Sequence, residues 1–192
     1  MQIDYLELEK AAKDIQGVIV IENLIKLLED KWLAAYYDMS SHSPMVLEFP
    51  FNGFTYLFDQ ASANTTDVDD RAVAAYGISS KKYVRDQKRQ RQFLGPGGLS
   101  DIPGKGKFDR GHLIACSMGG GLDVNLFPQR PELNQGTSDT VRIYRTMEVY
   151  AEQHLGTFVF SRLIYNDDSW VPSALEYGII KDSKLWVECF EN

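Results

Sequence analysis

The sequence contains little cysteine, and this shortage excludes two kinds of small protein. Its two cysteines, Cys116 and Cys189, are too few for a disulfide scaffold, and no C-x-x-C motif is present to bind zinc. Each cysteine lies in an apolar segment, which predicts two buried free thiols.

Long apolar runs are also missing from the sequence. No stretch reaches the roughly 18 apolar residues that a membrane-spanning helix needs. The residues Met1–Tyr5 include an acidic side chain and lack the basic start of a signal peptide. We therefore expect either a cytoplasmic protein or one that is exported as part of a larger chain.

A nucleoside-triphosphate site of the P-loop type is excluded as well. No helix start follows the glycines of segment 95–98. The Gly104-Lys105-Gly106 segment lacks the Ser or Thr that follows the lysine of a P-loop.

The sequence does contain enough apolar material for a folded domain. It has 192 residues, of which 44% are hydrophobic and 12% aromatic. A chain of this size and composition can bury a substantial core and carry one added helical segment.

Charge is distributed unevenly along the chain, whose net charge is −7. Residues 81–145 carry 12 basic and 6 acidic residues, whereas both flanking regions are acidic. The densest basic stretch predicts a helix over Lys81–Gln92, with either a phosphate-binding surface or an ordinary solvated face. Its candidate nucleic-acid-binding residues are Lys81, Lys82, Arg85, Lys88, Arg89 and Arg91.

The first part of the chain has the apolar spacing of a helix over residues 5–37. Its stripe contains Ile15, Val18, Ile21, Ile25, Leu28, Trp32 and Ala35. Gly17 and the β-branched run Val18–Ile21 oppose a helix locally, and a short strand there is the alternative. Such a helix either packs on its own domain or provides a docking surface for another protein or chain segment. We therefore divide the chain into a helical N-terminal segment, 1–44, acting as a docking or linker element, and a second domain, 45–192.

The second domain has alternating apolar segments on both sides of a helix. Strands are predicted at Met45–Phe51, Phe54–Phe58, Ala72–Tyr76, Phe108–Cys116, Thr157–Tyr165, Ala174–Ile180 and Leu185–Phe190, and a helix at Thr140–His154. This pattern predicts an α+β fold with a mostly antiparallel sheet flanked by helices. His42 and His154 have no supporting residues nearby in the sequence, which predicts two exposed side chains.

The chemistry-bearing residues are concentrated between Lys107 and Gly136. His112 can accept a proton near neutral pH, and the planar guanidinium of Arg110 can hold phosphate oxygens. Asn134 offers a neutral carbonyl oxygen, which suits Mg²⁺ because this ion binds oxygen and keeps several waters. These residue types match the needs of phosphodiester hydrolysis with one hard metal ion.

Four sequence blocks in this region resemble the DNA/RNA non-specific endonuclease family, the ββα-metal nucleases. Asp109–His112 is similar to the family's D-R-G-H motif, Asn125–Gln129 to N-x-x-P-Q, and Leu133–Gly136 to L-N-[QR]-G. The helix segment Tyr144–Glu148 resembles an aromatic-x-x-x-Glu motif that usually begins with Trp. This chain has Tyr there and several extra residues after Gly136.

The resemblance implies a mechanism and a role for each motif residue. It implies that His112 is the general base, that Arg110 clamps the phosphate, and that Asn134 binds Mg²⁺, for which Mn²⁺ can substitute. Glu148 would orient water or bind the metal directly. Three residues would support the site: Asp109 by holding the turn or a nearby arginine, Asn125 as a turn residue or an active-site brace, and Gln129 as a brace.

The resemblance also implies a biological setting. Relatives with short glycine-rich D-R-G-H segments often form the ends of bacterial toxins, so we expect a toxin-type effector with an immunity or inhibitor protein as partner. The substrate is DNA, RNA or both. The alternative function is a nucleic-acid-binding module that does not cleave.

Overall fold

The computed structural model describes residues 3–81, 108–121, 123–136 and 138–192, and these form an α+β protein, as predicted. The helices of the described part are α1 (Tyr5–Ala11), α2 (Ile21–Met39), α3 (Pro131–Gln135) and α4 (Asp139–Gln153). Its strands are β1 (Val46–Phe51), β2 (Phe54–Asp59), β3 (Arg71–Ile78), β4 (Asp109–His112), β5 (Leu126–Gln129), β6 (Phe158–Ile164), β7 (Ala174–Lys181) and β8 (Lys184–Glu191).

Six of the described strands form one sheet, in the order β1-β2-β3-β6-β7-β8. Every neighbouring pair in it is antiparallel, so the predicted antiparallel sheet is confirmed. Two hairpins turn tightly on residues with positive φ, namely Asn52-Gly53 and Asp182-Ser183. The strands β4 and β5 form a separate antiparallel pair.

The prediction of one helix over residues 5–37 is wrong, because the chain forms two helices there. Gly17 has φ +79°, and a bridge between Lys13 and Ile19 closes the turn that separates α1 from α2. A left-handed glycine followed by β-branched residues opposes a continuous helix. Ile15 is fully exposed and Val18 is half-exposed, so neither joins the apolar stripe of α2.

Helix α2 buries its apolar face against one side of the six-stranded sheet. Leu24, Leu28 and Trp32 are completely buried, and the Trp32 ring packs on the rings of Phe160 and Tyr76. The first two helices thus contribute to the same core as the strands. The division of the chain at residue 44 stays a prediction.

Helix α1 is attached to the same side of the sheet by a polar cluster. Its Tyr5 hydroxyl donates to Glu176, whose carboxylate also accepts a hydrogen bond from Arg162 at 2.7 Å. The Trp32 indole N–H donates to the Tyr5 oxygen at 3.1 Å. These hydrogen bonds stabilise the ion pair of Arg162 and Glu176, which the helices cover.

The opposite side of the sheet carries β4, β5 and α4. Ser161 follows Phe160 on β6 and therefore points to the other face, where its hydroxyl donates to the Leu113 carbonyl at 2.5 Å. Tyr144 of α4 packs edge-on against Tyr177 and Phe190, with ring centroids 5.1 Å apart in each pair. The sheet thus separates the N-terminal helices from the D-R-G-H segment.

Three further predictions need correction or fall outside the described residues. Cys116 is buried as expected, but Cys189 is exposed because it lies on β8 at the sheet edge. The strand predicted at Phe108–Cys116 already ends at His112. The basic helix of Lys81–Gln92 lies outside the described residues except for Lys81, which is exposed.

In the part of the chain that the structure describes, no helix combines the length and apolar character that crossing a membrane requires.

The packing of α2 on the sheet gives a first prediction. Leu28→Ala should lower the free energy of unfolding by about 2–5 kcal/mol, because it leaves a cavity in a completely buried site. Lys31→Ala on the exposed side of the same helix is the matched control and should change it by less than about 0.5 kcal/mol. Urea denaturation of both variants measures the difference. Equal values for the two would contradict the role of α2 in the core.

Candidate active site

An open pocket of about 810 Å³ lies beside the end of β4. Four of the predicted site residues line it, although they come from four different elements: His112 from β4, Gln129 from β5, Asn134 from α3 and Glu148 from α4. The extra residues after Gly136 therefore do not keep Glu148 away from the pocket.

The β4–β5 pair determines where the motif side chains lie. Its register pairs Asp109 with Gln129 and His112 with Leu126. Gly111 is required there, because a Cβ atom at this position would lie 2.5 Å from the Cβ and 2.7 Å from the Oε1 of Gln129. The glycine of the D-R-G-H motif therefore leaves room for the Gln129 side chain to lie against β4.

Asn125 braces the loop that follows His112. Its Oδ1 accepts a hydrogen bond from the Ile114 amide at 2.8 Å, and its Nδ2 donates to the Ile114 and Gly121 carbonyls at 2.9 and 2.7 Å. The side chain is completely buried and does not line the pocket in the described part of the chain. Asn125 therefore supports the loop from behind.

Gly120 lets the same loop fold back closely on itself. A Cβ atom at Gly120 would lie 1.8 Å from the Ile114 carbonyl oxygen, so no other residue fits without moving the backbone. Cys116, Ser117 and Ala115 of this loop contribute to the pocket wall.

Asp109 holds the side chain of Asn134 in one orientation. Its Oδ2 accepts hydrogen bonds from Asn134 Nδ2 at 3.0 Å and from Gln135 Nε2 at 2.6 Å. Because the amide nitrogen of Asn134 is committed to Asp109, its carbonyl oxygen is the atom that remains for a ligand. The sequence predicts that Asp109 holds a turn or an arginine, and in the described residues its side chain binds two amides.

Glu148 is a buried acid with a partner one turn earlier on α4. Its side chain is 11% exposed, and Oε2 lies 3.0 Å from an Arg145 guanidinium nitrogen. Burial raises the pKa of Glu148, and the hydrogen bond and charge of Arg145 partly oppose that shift. Arg145 thus favours the ionised carboxylate in a poorly solvated position.

Only two of the basic residues predicted to bind phosphate or nucleic acid, apart from the site histidine, lie among the described residues. Arg110 is exposed on β4, and Lys81 is exposed at the end of a described range. Five of the predicted residues lie outside the described residues: Lys82, Arg85, Lys88, Arg89 and Arg91.

Two arginines at the pocket were missed from the sequence. Arg142 and Arg145 line it together with Glu148, at three-residue steps along one face of α4. That spacing is visible in the sequence and could have identified them once Glu148 was assigned to the site.

The prediction that His42 is exposed is wrong. Its side chain is only 5% exposed, and Nε2 lies 2.6 Å from Asp59 Oδ2. The same carboxylate accepts hydrogen bonds from the Tyr36 hydroxyl and the Met45 amide, each at 2.7 Å. His42 therefore belongs to a buried polar network beneath the sheet end, whereas His154 is exposed, as expected.

Among the described residues, no group of three or more His, Cys, Asp or Glu side chains could hold a metal ion.

Comparisons with known proteins give one family and several similar structures. Residues 54–182 match the family model described as DNA/RNA non-specific endonuclease. The chain is similar to NucA from Streptococcus agalactiae, solved with no metal bound, with 15% identity, coverage of 77% of this chain and 83% of that chain, and a TM-score of 0.46. No curated relative matches the chain significantly.

Two further solved structures are similar. One is the Sda1 nuclease with a bound zinc ion, with 16% identity, coverage of 79% of this chain and 74% of that chain, and a TM-score of 0.38. The other is an extracellular endonuclease, with 13% identity, coverage of 78% and 69%, and a TM-score of 0.33.

The loop brace gives a prediction about stability. Asn125→Ala should lower the free energy of unfolding by about 2–4 kcal/mol, because it leaves buried backbone groups of Ile114 and Gly121 without their partners. Asn23→Ala, an exposed asparagine on α2, is the control and should have little effect. Thermal or urea unfolding would show it, and an unchanged stability for Asn125→Ala would refute the bracing role.

Proposed function

Because the chain belongs to the DNA/RNA non-specific endonuclease family, we propose that it cleaves phosphodiester bonds of DNA or RNA in the pocket beside β4. His112 acts as the general base, and a divalent cation binds at Asn134. The observation that carries this proposal is the convergence of His112, Asn134, Glu148 and Gln129 on one pocket from four separate elements. Family membership supports a nuclease, and this convergence supports the location of its site.

The donor atoms of the pocket fit a hard divalent cation. Asn134 has its amide nitrogen on Asp109, which leaves a carbonyl oxygen, and Glu148 contributes a carboxylate to the same pocket. Mg²⁺ prefers oxygen and keeps several waters, so one or two protein ligands suffice, and Mn²⁺ accepts the same donors. When bound, such an ion would neutralise phosphate charge and stabilise charge that develops during cleavage.

His112 fits the work of a general base. Imidazole exchanges its proton near neutral pH and can accept one from an attacking water. The residue is the last of β4, so the ladder to Leu126 fixes its backbone on one side. The loop braced by Asn125 follows it directly, and the ring lines the pocket.

The remaining motif residues would bind and orient the substrate. Arg110 is an exposed residue two positions before His112, and the planar fork of a guanidinium suits phosphate oxygens. Glu148 would orient water or bind the cation. Contacts to phosphate and sugar carry little sequence information, which agrees with cleavage of many sequences. The toxin-type role and the immunity protein stay predictions from the family resemblance.

The general base gives a testable prediction for cleavage. His112→Ala should lower the cleavage rate of supercoiled plasmid and of total RNA by about 10²–10⁴, because the proton acceptor is lost. His154→Ala, an exposed histidine outside the pocket, should keep the wild-type rate. The assay uses Mg²⁺, Mn²⁺ and EDTA in parallel, and the rates on plasmid and RNA give the substrate preference.

Two results of this assay would refute the catalytic proposal. One is full activity of His112→Ala. The other is a folded wild-type protein that cleaves neither substrate with either cation but still binds nucleic acid, which would establish the non-cleaving binding module instead.

The contact between Asp109 and Asn134 predicts a specific change in cation dependence. Asp109→Ala should raise the Mg²⁺ concentration for half-maximal cleavage by about 10–100-fold, because Asn134 loses the partner that fixes its amide. Asp109→Asn keeps one acceptor oxygen and should recover part of the loss. A lower rate with an unchanged Mg²⁺ requirement would show that Asp109 does not position Asn134.

A further inference from the structure

The pocket wall formed by α4 carries two arginines whose heads reach solvent. The Arg142 and Arg145 side chains are 73% and 65% exposed, and both residues line the pocket. They lie three residues apart, so they are neighbours on one face of the helix. Their guanidinium groups can therefore reach a chain that lies along this wall.

The ion pairs that these two arginines form differ in strength. Arg142 pairs at 3.0 Å with Asp139, which is 92% exposed, and such solvated pairs contribute little. Arg145 pairs at 3.0 Å with Glu148, whose side chain is only 11% exposed. Arg142 can therefore leave its partner easily to bind a phosphate. Arg145 is paired with Glu148, which lines the pocket of the proposed cation site.

Because the chain carries a net negative charge, binding of a nucleic acid depends on local contacts between basic side chains and phosphates. The net charge is −7, so the molecule as a whole does not attract a polyanion. Apart from His112, Arg142 and Arg145 are the basic side chains among the described residues that line the pocket. A guanidinium group can bind a phosphate through two parallel hydrogen bonds. This is a stronger contact than the exposed pair of Arg142 with one carboxylate oxygen of Asp139.

We propose that Arg142 and Arg145 bind backbone phosphates of the nucleic acid, and that Arg145 leaves Glu148 when it does so. The exchange makes the Glu148 carboxylate available to the divalent cation. Nucleic acid and cation therefore bind cooperatively, since each favours the state in which Arg145 and Glu148 are apart. By linkage, the effect of each ligand on the other is equal. This inference rests on the proposed function of the same pocket.

The phosphate contacts are tested by binding without cleavage. A fluorescent single-stranded DNA oligonucleotide is titrated with the His112→Ala protein in EDTA at several salt concentrations. Adding Arg142→Ala or Arg145→Ala should weaken binding about tenfold at low salt. Each should also reduce the slope of log affinity against log salt by about 0.7, the value for one phosphate contact on a single strand.

Lys31→Ala in the same background is the control for the loss of one positive charge, because Lys31 lies on α2 across the sheet from the pocket. It should leave the slope unchanged. Arg145→Lys keeps the charge but loses the planar fork, so it should retain the slope and lose part of the affinity. Equal slopes for the arginine variants and their parent would overturn the phosphate contacts.

The exchange of Arg145 is tested by cation coupling. The affinity of the His112→Ala protein for the oligonucleotide is measured with and without Mg²⁺, and the ratio of the two values is the coupling factor. Arg145→Ala should reduce this factor, because Glu148 no longer needs to be released. Arg142→Ala should leave it unchanged. The same coupling factor in both variants would overturn the exchange.

Plasmid cleavage by the otherwise unaltered protein separates the two proposals. Cleavage together with unchanged salt slopes in the arginine variants would sink the phosphate contacts and leave the nuclease function intact. Arginine-dependent binding without any cleavage would sink the catalytic proposal and leave the phosphate contacts standing.

Discussion

The site depends on a sheet whose central strands β3, β6 and β7 are buried on both faces. Strand side chains alternate, so one face of β6 presents Phe160 to Trp32 while the other presents Ser161 to the Leu113 carbonyl. The N-terminal helices seal the first face, and the second face is then free to support β4, β5 and α4. The hydrogen bond from Ser161 ties the backbone just after His112 to the centre of the domain.

Close approach of backbone and side chain then fixes the geometry of the pocket. The Gln129 side chain lies against Gly111, and the loop after His112 turns back at Gly120. A Cβ atom at either glycine would collide with its neighbour. Asn125 holds this loop with three hydrogen bonds. Asn125 is completely buried, so this loop is held from inside the domain.

The polar side chains of the pocket are held by partners rather than left to solvent. Asp109 orients Asn134, and Arg145 accompanies Glu148, so each oxygen proposed as a cation ligand has a neighbour that controls its direction or charge. A cation held by these two proposed ligands and by water would bind weakly by itself. In the proposed function, phosphate oxygens of the substrate would complete its coordination.

The sequence by itself determined the fold class, seven of the eight described strands and the motif residues, but it missed β5. Alternation and turn residues indicated β6, β7, β8 and α4 to within one or two residues, because these patterns are local. The ordered blocks around Asp109–Gly136 indicated the family, which the match over residues 54–182 confirms. Local patterns could also name His112, Asn134 and Glu148 as candidates, but not their distances.

Only the tertiary structure decided which residues meet. It divided residues 5–39 into two helices, since the sequence indicated a weak point at Gly17 but not its left-handed conformation. It buried His42 on Asp59, joined Asp109 to Asn134, and turned Arg142 and Arg145 toward the pocket. Each of these contacts except the arginine spacing joins residues at least 17 positions apart. Such contacts are determined by how the layers pack, and local sequence carries little information about that.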